Sequence, residues 1–220
     1  MGANIEEFMG KVHAMGKYFP ENKDQLRNFD KLIEQFSAYT KKDPAKPNMR
    51  LARSSAATVD IAAKKADELT AAGKKVEITG FEVDHGLGDR AYDVVIRVDG
   101  IDNFVETKSW ELFDEAKGYL SRQVTTARES SRKLEGFTEP GQIVDDIINV
   151  IREPDSKVYW AFSDPAMHAR RMEFVDHVMD EIGKNKVAQE IIMSRTMPGQ
   201  NYNDNLGIVG DALRSVLGGI

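Results

Sequence analysis

The stretch YDVVIRVDGIDNFVETKSW, Tyr92–Trp110, decides how the chain is read. Two apolar-rich runs meet at Asp99-Gly100, the strongest short signal for a β-hairpin. Yet Asp93 stands inside the first run, and Glu106 with Lys108 inside the second. A two-residue turn at Asp99-Gly100 sets Val98 against Ile101 and Asp93 against Glu106. A four-residue loop, Asp99–Asp102, sets Val98 against Asn103 and Asp93 against Lys108 instead. Either register leaves Asp93, Glu106 and Lys108 on one sheet face, because side chains alternate along a strand. Like charges directly opposite one another destabilise a sheet, so something is expected to offset the two acids. A divalent cation would do so, since Mg²⁺ prefers carboxylate and carbonyl oxygens and keeps waters. Lys108 on the same face could then orient an attacking water or meet charge on a phosphate. The plain alternative is a solvated, half-exposed sheet face. The otherwise apolar strands and the helical segments on both sides weigh against it.

Outward from the hairpin, KVEITGFEV before it reads as another strand, joined through DHGLGD. RAYDVVIRV and NFVETKSW complete three consecutive strands. SKVYWAFSD, further on, reads as a fourth. A helix over about Met49–Ala72, rich in Ala and ended by Gly73, precedes the strands. The pattern predicts a long helix over 111–135, another over 141–152, and one over 165–184 that starts at Pro165 behind Asp164. Antiparallel strands one to three, with the fourth added after a helical crossover, make an α/β fold. Its core is a mixed four-stranded sheet in the order αβββαβ, flanked by helices. Two apolar helical stripes open the chain, Ile5 to Val12 and Leu26 to Tyr39. KKDPAKPN, Lys41–Asn48, then reads as a linker. The expected division is a helical N-terminal segment and linker over 1–48 and the α/β domain over 49–220.

Composition narrows the chemistry. The 220 residues contain no cysteine, which excludes disulfides, thiolate catalysis and Cys-based zinc sites. Hydrophobic residues make up 41%, as in folded proteins, and no run approaches the ~20 apolar residues of a membrane span. No membrane partner is therefore expected. The first ten residues lack the apolar core of a secretory signal. The net charge of −6 attracts no polyanion overall, so a nucleic-acid partner requires a local basic face. Lys117–Lys133 supplies one: Lys117, Arg122, Arg128, Arg132 and Lys133 stand against Glu129 alone. Such contacts grip phosphates without choosing a sequence. His168 and His177, nine apart on one expected helix, diverge and cannot share an ion. Trp160 and Trp110 read as core, and His85 sits in a loop that could overhang the site.

Asp93 on the second strand, then Glu106-Thr107-Lys108 on the third, within a helix, three strands, helix and strand, resembles the PD-(D/E)xK nuclease superfamily. The resemblance spans about Met49–Lys184. The proline that names the motif is absent, as Ala91-Tyr92 precede Asp93, a position that varies in the family. What the resemblance implies is hydrolysis of phosphodiester bonds in DNA or RNA with Mg²⁺ or Mn²⁺. Asp93 and Glu106 would bind the ion, the Thr107 carbonyl would add a ligand, and Lys108 would assist the water. Family members often add an acid from the first helix, for which Glu68 is the candidate and Glu82 on the first strand the competitor. A glutamine on the helix after the motif, here Gln123, reaches the active site in several branches. VETKSW and KVYWAFSDP look like C-terminal toxin domains of polymorphic or contact-dependent growth inhibition systems. That likeness implies an effector delivered into a target bacterial cytoplasm and a cognate immunity protein as partner. The acidic balance weighs against tight DNA binding and leaves a structured RNA such as tRNA open as the substrate. Restriction and junction-resolving enzymes share the core. A non-catalytic binding protein and a phage structural protein are the readings from other classes.

Overall fold

A computed structural model describes residues 5–41, 49–86, 91–109, 113–126, 139–155 and 157–219. The chain divides into two compact units: residues 1–109 with 160–165, and residues 110–159 with 166–220.

The first unit is built on the sheet. Strands β1 (Val76–Asp84), β2 (Ala91–Val98) and β3 (Ile101–Lys108) form an antiparallel meander, and Trp160–Phe162, the end of a later strand, lies beyond β3. The whole sheet is mixed and flanked by helices, as the sequence predicts. Asp99 (φ 50°) and Gly100 (φ 90°) both adopt left-handed backbone, the requirement of a two-residue hairpin turn of the tighter, primed kind. The register follows: Val98 pairs with Ile101, Ile96 with Asn103 and Val94 with Val105. Of the two registers the sequence left open, the two-residue turn is the one adopted.

Three helices belong to this unit: α1 (Ile5–Met15), α2 (Phe29–Lys41) and α3 (Met49–Ala71). In α3 the small residues Ser55, Thr58, Ala62 and Ala66 recur at helical spacing and are buried, so the helix lies close against the strands. Gly73 (φ 80°) ends it, with the Lys74 amide returning to the Leu69 carbonyl.

The N-terminal helices are not a separate leader. Phe8 of α1 stacks on Phe36 of α2 at 3.8 Å, and Lys11 and Lys17 reach Asp60 and Asp67 of α3 at 3.0 and 2.8 Å. Arg27 exchanges main-chain hydrogen bonds with Thr79 and Phe81, both 3.0 Å, and so extends β1 sideways. The boundary expected at residue 48 is therefore corrected. The amphipathic stripes of α1 and α2 bury their apolar faces in the same core as the sheet, and the division falls after Ser109. Gly80 is required by that approach, since a Cβ there would stand 2.6 Å from Val83 Cγ2 and 3.0 Å from Arg27 Cβ.

The second unit is mainly helical: α4 (Phe113–Val124), α5 (Gln142–Arg152), α6 (Pro165–Ala169), α7 (Phe174–Lys184), α8 (Lys186–Thr196) and α9 (Leu206–Gly218). Ile143, Ile147, Phe174, Val178, Ile182, Val209 and Leu213 form its core. Two expectations need correction. The helix predicted over 111–135 ends at Val124, where Thr125-Thr126 pair with Glu139-Pro140 as β4 and β5. Adjacent β-branched threonines favour extended backbone. Gly141 lets the returning chain press on the end of α4, because a Cβ would fall 1.8 Å from the Gln123 carbonyl oxygen. The helix predicted over 165–184 breaks at Arg170, so His168 and His177 stand on different helices, α6 and α7.

Candidate functional site

The hairpin delivers its charges to the end away from its turn. Alternation of hydrogen-bonded pairs runs from Val98/Ile101 through Ile96/Asn103 to Val94/Val105. An uninterrupted ladder would next join Tyr92 to Thr107. The pairing stops short of it, and the Thr107 amide donates to Asp93 Oδ2 instead, at 2.7 Å. The Thr107 hydroxyl donates to the same oxygen, also at 2.7 Å. Asp93 thus interrupts the ladder and substitutes its carboxylate for a main-chain acceptor. No described residue donates to its other oxygen, Oδ1.

Glu106, Thr107 and Lys108 are all buried, at 6, 6 and 8% exposure, while Asp93 keeps part of its surface open. Lys108 Nζ donates to Glu106 Oε1 at 2.5 Å and lies 4.4 Å from the ring centre of Trp160. Trp160, expected as core, is fully buried and also floors the ammonium. Charge-assisted bonding and the ring face compensate a cation that the low-dielectric surroundings would otherwise disfavour. The Ser163 amide donates to the Lys108 carbonyl at 3.0 Å and holds the end of β3.

Asp93 registers the field of this cluster. Burial pushes its carboxyl up to about 7, and the Glu106 charge adds to the rise; the bonds from Thr107 and the Lys108 charge oppose it. Glu82 on β1 belongs to the same neighbourhood. Its carboxyl is raised by burial and then by Glu106, against a hydrogen bond from Gln35 and the charge of Lys31, both on α2. Its backbone is left-handed (φ 48°), a costly conformation for a residue with a side chain, and Asn28 Nδ2 donates to its carbonyl at 2.9 Å. Between Phe81–Val94 and Val83–Tyr92 in the register, Glu82 falls across from Asp93.

The expected residues therefore separate. Asp93, Glu106, Thr107 and Lys108 are brought together, and Glu82 joins them. Glu68 does not: it is exposed near the end of α3, where Lys65 on its own helix pairs with it at 3.5 Å. Of the two acids the sequence left open, Glu82 is the one near Glu106 in this structure. Helix α3 turns the Glu68 carboxylate to solvent, and its buried face presents Thr58 instead, whose hydroxyl lies 2.8 Å from the Thr107 hydroxyl. Thr58 was missed in the sequence because a threonine on an alanine-rich helix carries no distinguishing pattern. Gln123 and Arg122 lie on α4 in the second unit, Gln123 half-buried and Arg122 exposed with its guanidinium 4.7 Å from the Tyr119 ring centre. Arg128, Arg132 and Lys133 lie outside the described residues. His85 packs edge-on against Phe104 and Tyr92, at 4.4 and 6.0 Å between ring centres.

No family model, curated protein or solved structure matches this chain.

Proposed function

We propose that the protein is a metal-dependent nuclease, hydrolysing phosphodiester bonds in DNA or RNA at Asp93, Glu106 and Lys108. One observation carries the reading: two acids and an amine are concentrated at one end of a β-hairpin, with the Asp93 carboxyl raised to about 7. Burial of mutually repelling carboxylates costs stability, and sites of chemistry are where such costs concentrate.

The donor set fits a hard divalent cation. Among the described residues no group of three or more His, Asp and Glu side chains is arranged to hold an ion by itself. Asp93 through Oδ1, Glu106, and the Thr107 carbonyl make a partial oxygen set of the kind that leaves positions to water and substrate, as suits Mg²⁺ or Mn²⁺. The chemistry such an ion supplies is polarisation of a phosphoryl oxygen and a lowered pKa for water. Thr107 holds Asp93 in one orientation through two donors on Oδ2. Lys108, drawn against Glu106 and over Trp160, keeps a positive charge within the cluster to meet charge developing on a phosphate. The basic run of the sequence, Lys117, Arg122, Arg128, Arg132 and Lys133, carries cations suited to a phosphate backbone, and Gln123 is the glutamine that the family resemblance adds. Action as an antibacterial effector, neutralised by an immunity protein, extends the proposal.

The test is incubation of the purified chain with plasmid DNA and with total RNA, with Mg²⁺ or with chelator. Cleavage requiring the ion, and lost in Asp93→Ala and Lys108→Ala, is the expected result. Growth arrest on induction in a bacterial host, relieved by Lys108→Ala, would support the effector role. Folded wild-type protein that cleaves neither polymer under any of these conditions would defeat the nuclease reading.

A further inference from the structure

We infer that Thr58 of α3 is a positioning residue for the Asp93 carboxylate, acting through the hydroxyl of Thr107; this deepens the nuclease reading and rests on it. A hydroxyl has one proton to donate. The Thr107 hydroxyl lies 2.7 Å from Asp93 Oδ2, the oxygen that already accepts the Thr107 amide, and a carboxylate that binds an ion is deprotonated and can only accept, so Thr107 spends its proton there. In the 2.8 Å contact between the two hydroxyls Thr58 must then be the donor. Its other available acceptor, the Ser54 carbonyl, is longer at 3.2 Å. The result is a one-way chain from Thr58 to Thr107 to Asp93.

Both threonines are nearly sealed from solvent, at 4 and 6% exposure, so water does not compete for these bonds. Hydrogen bonds in series polarise one another. With the Thr107 amide on the same oxygen, Asp93 is fixed about its side-chain torsion, and Oδ1 is the oxygen left for an ion. Helix α3 thus contributes to the site through a neutral hydroxyl rather than an acid. Thr58 precedes Glu68 by roughly 15 Å of helix at 1.5 Å per residue. Groups that orient metal-binding carboxylates typically influence affinity by about 10–100-fold.

The test compares full-length wild type with Thr58→Val, which keeps the shape and removes the donor, and Thr58→Ser, which keeps the donor. Mn²⁺ affinity is measured by titration calorimetry, and unfolding temperature is measured without metal. The expected result is a loss of about tenfold or more in Mn²⁺ affinity for Thr58→Val, restored by Thr58→Ser. If valine prevents folding, Thr58→Ala takes its place. Mn²⁺ affinity equal to wild type in the variant lacking the hydroxyl would overturn the inference, as would a loss that serine does not restore, since packing alone would then explain it. Wild type that binds Mn²⁺ and cleaves while the variants do the same overturns this inference alone. Wild type that binds no Mn²⁺ overturns it together with the nuclease reading.

Discussion

The two ends of the β2–β3 hairpin both carry charge, but they handle it differently. Near the turn, Arg97 bonds Asp102 at 2.8 Å, Arg27 bonds the same carboxylate at 2.9 Å, and Glu77 lies 3.9 Å from Arg97. Two acids face two guanidinium groups in a half-exposed network where each charge has an opposite. At the far end, Glu82, Asp93 and Glu106 gather around Lys108, with Lys31 acting on Glu82 from α2, and Glu106 and Lys108 are buried. Both sets are built on the same three strands, β1 to β3. What separates them is charge balance and access to water, which makes one a clasp and the other a site held at a cost.

The largest expected contrast is in activity. Glu106→Gln should lower nuclease turnover by about 10²–10³-fold, the range for loss of one electrostatic group at a reacting centre, while Asp102→Asn should leave turnover close to wild type. A fluorescent-oligonucleotide assay at saturating Mg²⁺ reads both. Equal effects at the two ends would erase the distinction drawn between them.

Stability should show the opposite ranking. Asp93 has its folded carboxyl raised from 3.8 to about 7, so the fold favours the neutral acid. That cost is absent below the ordinary Asp range, grows as pH rises from about 4 to 7, and is fully present above. Asp93→Asn removes it and should stabilise the protein by roughly 1–3 kcal/mol at pH 8, less than the full displacement would give at about 1.36 kcal/mol per pH unit. The gain should vanish toward pH 4, as denaturant titrations at the two pH values would reveal. Asp102→Asn, by contrast, should lose about 0.5–1 kcal/mol, the modest worth of partly exposed pairs. A destabilised Asp93→Asn protein at pH 8 would contradict the reading of strained carboxylates.

The last contrast concerns the ion. Mn²⁺ at 100 times its dissociation constant should stabilise wild type by about 2.7 kcal/mol through mass action. It should not stabilise Asp93→Asn, and should act on Asp102→Asn as on wild type. Thermal melts across a metal titration provide the comparison.

Much of this was legible in the chain. Asp99-Gly100 dictated a hairpin because few other dipeptides accept left-handed backbone at both positions, and the period-two alternation then committed Asp93 and Glu106 to opposite places on neighbouring strands. The N-terminal stripes announced helices but not their attachment, since an amphipathic pattern states that a face is buried and not against what. The helix expected through residue 135 failed at Val124, where the threonines and the close approach of Gly141 outweighed a favourable local pattern.

Sequence alone determined which residue types could do chemistry here, and their spacing along the strands, because alternation and turn geometry are local properties of the backbone. Tertiary structure decided which of them share an environment. Glu68 or Glu82, Thr58 or any other residue of α3, could be chosen only once helices pressed on the sheet, since burial, hydrogen-bond direction and the field of one carboxylate on another arise between segments distant in the chain.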